Sequence, residues 1–267
     1  MQMCKDKIIL FVFFVIACAL TGCAVTSSGN MVGEATAVKY STDEKKYRIA
    51  EVGMTFASAG EEHRISSLHS DVEISGGSLN LRASLISLNY SLQGQKGGIF
   101  LSVPMTIPMD IGIRPSFVQW VGPVYLGAGV SFVGGFYPNE QDDDYEPEAD
   151  DSFGRFDGFI LYNFGGGAMI DIGEKFALGA YANYERMALN SGGSTVKGYG
   201  FYLDVMSETH GKENLPAYAK RVNVMTLGLN ALIKMKYPIG FYAEYSPRKL
   251  MNNGDWRKLR TGVVLLY

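Results

Sequence analysis

Cysteine is nearly absent from this 267-residue chain, and the positions of its three copies exclude several fold classes at once. Cys4, Cys18 and Cys23 all lie in or at the edge of one N-terminal apolar stretch, so the rest of the chain has no pair for a disulfide and no Cys cluster for a metal. An excess of positive charge is missing too: the formal net charge is −3, unlike a nucleic-acid binder. After the N-terminal stretch no apolar run approaches the ~20 residues of a spanning helix. No Pro-rich or Ser-rich linker divides the chain, which reads as one large domain. Catalytic signatures are also lacking, with no Gly-x-Ser-x-Gly elbow, phosphate-binding loop or zinc-spaced His pair.

What is present begins at the N-terminus. Met1 to Lys7 carries Lys5 and Lys7, and Ile8 to Leu20 is an apolar core too short for an ordinary membrane span. Small residues follow at once, which is the layout of a secretory signal over residues 1–22. The tetrapeptide Leu20-Thr21-Gly22-Cys23 resembles a bacterial lipobox. That resemblance implies cleavage before Cys23 and acylation of its thiol, palmitate included, anchoring the new N-terminus in a membrane leaflet. Cleavage after Ala24 is the alternative, because Gly22 and Ala24 also satisfy the small-residue rule of ordinary signal peptidase. Loss of the leader removes Lys5, Lys7 and Asp6 and moves the net charge to −4.

Glycine is abundant at 32 residues, and aromatics make up 12% of the chain, with 16 Tyr and 15 Phe, a composition that favours sheet. Period-two alternation makes this specific. Val124, Leu126, Ala128, Val130 and Phe132 share one face of an extended strand, and Tyr125, Gly127, Gly129 and Ser131 share the other. The pattern repeats from Phe156 to Phe164, from Phe176 to Glu185 and from Ile239 to Ser246. Each strand has one greasy face and one polar or small one.

Alternation alone does not say which face meets which solvent, but the polar-side residues do. Glu51, Arg82, Arg114, Asp157, Glu185, Glu244 and Arg260 all fall opposite the greasy face, and a dry soluble core would not tolerate seven charges. A membrane barrel, whose apolar face meets lipid and whose other face fills a polar lumen, accommodates them as an interior network. The competing architecture is a soluble sandwich in which some of them face water.

Ten strands are expected, near 47–57, 79–92, 97–106, 110–119, 122–136, 154–171, 176–188, 220–234, 239–247 and 257–267. Short links around 94–97, 121–123, 173–175 and 236–238 alternate with longer ones around 58–78, 137–153, 189–219 and 248–256. Such asymmetry fits tight periplasmic turns and longer external loops, with both termini in the periplasm. The brief link at Pro108-Met109-Asp110 is the exception. Eight or twelve strands stay open, because 65–74 and 198–206 could also pair. The expected fold class is therefore all-β, a single closed antiparallel transmembrane β-barrel. Residues 23–46 are read as a periplasmic tether before a barrel at 47–267.

The last strand finishes Leu259, Thr261, Val263, Leu265 and Tyr267, apolar at alternate positions and ending on an aromatic. Here the chain resembles small bacterial outer-membrane barrels of the OmpA-like and OmpW-like kind. That implies a Gram-negative outer membrane, contact with its lipids, and recognition by the barrel-assembly machinery during insertion.

Candidate chemistry is sparse. Acidic residues crowd one expected external loop, and Asp142, Asp144 and Glu146 could offer hard oxygen ligands to a divalent cation. The loop lacks the glycine and the terminal Glu of an EF-hand, which favours a solvated acidic loop over a cation site. The histidines are His63, His69 and His210, and His69 stands near Ser66, Ser67 and Ser70. Two functions follow. One is a non-enzymatic barrel without cofactor, serving structure, surface contact or narrow porin-like passage of small solutes. The other is a membrane-embedded hydrolase or acyltransferase at the outer rim, using His69, His210 and the acidic loop.

Overall fold

A computed structural model describes residues 24–59, 74–107, 110–137, 155–190, 220–246 and 257–267. Its wall is built from ten strands: β2 (Ile49–Ala59), β3 (Ile74–Leu92), β4 (Gln95–Ile107), β5 (Asp110–Val121), β6 (Val124–Tyr137), β7 (Arg155–Ile172), β8 (Phe176–Asn190), β9 (Lys220–Ile233), β10 (Ile239–Ser246) and β11 (Arg257–Leu266). Each pairs antiparallel with its neighbours in sequence, and β11 pairs with β2 to close the ring. The closed ten-stranded antiparallel barrel expected from the sequence is the observed fold. β4 and β5 pair antiparallel on either side of 108–109, with Thr106 opposite Asp110, while Pro108 and Met109 themselves lie outside the described residues.

The side chains sort as the alternation requires. Leu126, Phe132, Phe164, Ile170 and Leu229 project outward from the wall, with Leu229 the most exposed of them at 69%. Tyr125, Ser131, Asn163, Tyr181 and Glu244 project inward and are buried. One stretch of β3 breaks the period: Leu85 and Ile86 are adjacent, yet both are exposed. A bulge between Ser84 and Ile86 inserts one residue there, so the strand keeps its apolar side outward beyond it.

Tight turns close one end of the barrel. At Gln93 and Gly94 the backbone has φ of 51° and 79°, the pair of positive values that a two-residue hairpin needs. The chain terminus lies at this same end, where Arg48 and Tyr267 exchange backbone hydrogen bonds of 2.8 and 3.1 Å. Inside the wall, inward tyrosines lie over glycines directly across from them. Tyr181 faces Gly228 and Tyr242 faces Gly262, where no Cβ obstructs the ring.

The segment before β2 departs from the sequence reading. Residues 23–46 were expected as a tether outside the barrel, whereas the described part from Val25 to Ser41 is almost wholly buried within it. A short strand β1 (Ala24–Ser27) pairs antiparallel with the end of β8, from Ala24 opposite Asn190 to Ser27 opposite Met187. Helix α1 (Val32–Tyr40) follows. The physical reason is size and polarity. Val32, Gly33, Ala35, Ala37 and Val38 are small enough to pass inside a ten-stranded ring, whose glycine-rich inner face would otherwise enclose a void.

Candidate functional site

The lumen is filled in layers, each set by which residues point inward at that height. At the short-turn end, α1 packs its apolar side chains against Phe100, Trp120, Tyr125, Met169, Leu232 and Leu266, drawn from six different strands. The helix is thus enclosed all round, which explains why it lacks the one-sided apolar stripe by which a surface helix is recognised. Its start is fixed by Asn30, whose side-chain oxygen accepts from the Val32 amide at 3.2 Å. Its carbonyl at Ala35 accepts from the Trp120 indole N–H at 2.9 Å. At the rim, Lys39 and Lys234 reach the Asp171 carboxylate at 3.2 and 2.7 Å, and the Tyr40 hydroxyl donates to it at 2.5 Å.

A charged layer follows at mid-height. Glu34, on the buried helix, accepts from both terminal nitrogens of Arg82 at 2.8 and 3.1 Å, from Arg114 and from the Ser116 hydroxyl at 3.2 Å. Arg82 also binds Glu51, its cross-strand neighbour in the β2–β3 register. Glu51 takes Arg260 at 2.7 Å and the Tyr242 hydroxyl at 2.6 Å through its other oxygen. Arg114 is completed by the Asn163 side-chain oxygen at 3.1 Å.

A second knot joins Lys258 to Glu244 at 2.8 Å and to Glu185. The chain before α1 is tied into this knot. Ser27 and Ser28 donate to the Glu185 carboxylate at 2.6 and 3.1 Å, as does the Gly29 amide at 3.2 Å, and Asn30 reaches Glu244 at 3.2 Å. Four carboxylates, Glu34, Glu51, Glu185 and Glu244, thereby meet four cations, Arg82, Arg114, Lys258 and Arg260. Every one of these side chains is buried, so the balance of charge is what allows them in a narrow space.

Six of the seven charges singled out in the sequence are in these knots: Glu51, Arg82, Arg114, Glu185, Glu244 and Arg260. Asp157 pairs with Gly135 in the β6–β7 register, and its side chain lies outside the described residues. Two members were missed. Lys258 was readable, since it shares the inward parity of Arg260 on β11. Glu34 was not, because it sits on a helix that carries no strand pattern. Register also proves a poor guide to partnership: Arg260 stands opposite Glu244 on β10 yet reaches Glu51, leaving Glu244 to Lys258.

Cys23, the three histidines, and Asp142, Asp144 and Glu146 all lie outside the described residues. Among the described residues no group of three or more His, Cys, Asp or Glu is placed to hold a metal ion. No described helix is long and apolar enough to cross a membrane, a statement that does not bear on strands.

No family model matches the chain. No curated protein sequence matches it either. Among solved structures, it is similar to the translocator domain of the autotransporter NalP from Neisseria meningitidis, at 10% identity and a TM-score of 0.37, over 88% of this chain and 93% of that one. An outer-membrane channel from Pseudomonas putida F1 gives 11% identity and a TM-score of 0.36, over 83% and 95%. The NanC porin gives 10% and 0.27, over 80% and 98%. All three are outer-membrane barrels, and likenesses this distant carry no functional argument.

Proposed function

We propose that the chain is a non-enzymatic outer-membrane β-barrel lipoprotein whose pore is shut by its own N-terminal segment, and that small solutes pass only when that segment moves. One observation carries the reading: Glu34 on the enclosed helix is held by Arg82 and Arg114 of the wall, so side-chain ion pairs fasten the helix across the lumen. Membrane residence is supported by the apolar outward faces of the described strands around a charged interior, an arrangement that water on the outside would not favour. The lipid is assigned to Cys23 on the strength of Leu20-Thr21-Gly22-Cys23, and intact mass of the mature protein decides it. A lipid-free chain beginning at Val25 would reject acylation.

Planar-bilayer recording tests the passage reading. The intact protein is expected to stay silent, and the double variant Arg82→Ala with Arg114→Ala, refolded to the same heat-modifiable mobility, is expected to show channel events. A steady conductance from the intact protein would overturn the closed state. A folded double variant that stays silent would reject gated passage and leave the lumen a purely structural filling.

A further inference from the structure

We propose that the N-terminus of the mature protein emerges at the end of the barrel opposite the short turns, so that the lipid on Cys23 anchors the protein in the outer rather than the inner leaflet of its membrane. The lipid part rests on the acylation reading above, whereas the placement of the N-terminus does not. Direction comes first. β8 runs away from the short turn at 173–175, and β1 is antiparallel to it, so the described chain starts at the far end, with Ala24 opposite Asn190, and descends into the lumen. Cys23 is one peptide unit, ~3.8 Å between Cα atoms, from Ala24. With tight turns on the periplasmic side, as outer-membrane barrels have them, that end faces outward.

The ladder on β8 gives the path inward. β7 pairs with β8 from Ile172 opposite Phe176 to Asn163 opposite Glu185, and from Met187 to Asn190 β8 pairs with β1. Ser28 stands where one partner gives way to the other, its hydroxyl donating at 3.1 Å to the carbonyl of Tyr162. The chain therefore enters the lumen alongside the far half of β8 and not from the short-turn end.

Thiol accessibility tests this. The leader 1–22 is exchanged for one that directs export without acylation, leaving Cys23 as the sole cysteine of the mature chain. Intact cells are then treated with a membrane-impermeant maleimide, and labelling is scored on the folded, heat-modifiable band. Glu174→Cys in a Cys23→Ser background reports the short-turn end. Cys23 is expected to label equally before and after outer-membrane permeabilisation, and Cys at 174 only after it. Labelling of Cys23 only after permeabilisation, or in neither condition, overturns the placement. If Cys23 labels from outside but the natural protein carries no lipid by mass, acylation alone has failed and the emergence of the N-terminus stands.

Discussion

Arg82 on the barrel wall grips the carboxylate of Glu34 on the enclosed helix with both terminal nitrogens, at 2.8 and 3.1 Å, while also bonding Glu51 on the neighbouring strand. One side chain thus joins plug to wall and wall to wall. Its position in the network makes it worth more than Arg114, which serves Glu34 and Asn163.

Removing a partner from a buried ion pair costs about 3–5 kcal/mol, because the charge left behind is uncompensated. Arg82→Ala takes one partner from each of two carboxylates, leaving Glu34 with Arg114 and Ser116 and Glu51 with Arg260 and Tyr242, and should approach that range, whereas Arg114→Ala takes a partner from Glu34 alone and should cost less. Glu174→Ala, in an exposed turn, should change nothing. Urea unfolding in lipid vesicles ranks the three, and equal midpoints for the two arginine variants would contradict the shared-carboxylate geometry.

On the outer face, Ala128→Arg places a charge in the apolar belt and should cost ~2–4 kcal/mol if near the midplane. Gly129, one residue on, faces inward and is constrained for another reason: a Cβ there would come within 2.8 Å of Arg114, 2.9 Å of Asn163 and 2.9 Å of Met31. Gly129→Ala should therefore also destabilise, and Met31→Ala should recover part of that loss while doing nothing for Ala128→Arg. Folding yields of the four variants separate the two causes.

Gly228 lies beneath Tyr181, and a Cβ there would sit 2.2 Å from the ring. The ring cannot yield freely, because its hydroxyl donates to Glu244 at 3.1 Å and accepts from Asn30 at 3.3 Å. Gly228→Ala should cost roughly 1–3 kcal/mol as overpacking, and combining it with Tyr181→Ala should remove most of that increment. Thermal unfolding monitored by circular dichroism gives the comparison.

At the rim, Asp171 binds Lys39, Lys234 and Tyr40, but its side chain is 44% exposed. Solvent screening limits such contacts, so Asp171→Asn should cost under ~1 kcal/mol. The same measurement that ranks the arginines checks it, and a loss as large as that of Arg82→Ala would mean that the rim, not the mid-lumen knot, holds the plug.

The strands and their facing were written in the sequence because a strand carries its own instruction: alternate residues point to opposite sides, and a wall between lipid and polar lumen needs opposite chemistry on each. Ile160, Phe164 and Asn163 show this on β7, and so does the Glu51–Arg82 pair across β2 and β3. Which of the other charges meet was decided by the tertiary structure. Arg260 bypasses the Glu244 opposite it on β10 and reaches diagonally along its other neighbour, β2, to Glu51, which stands opposite Val264, because a long side chain can span several residues of an adjacent strand and the direction it takes is set by packing in the lumen and not by register. The plug was hidden for the same kind of reason. Val32 to Val38 has no apolar face to betray it, since a helix surrounded by wall on every side needs none, and only closure of the ten strands creates the space that makes Glu34 an interior residue.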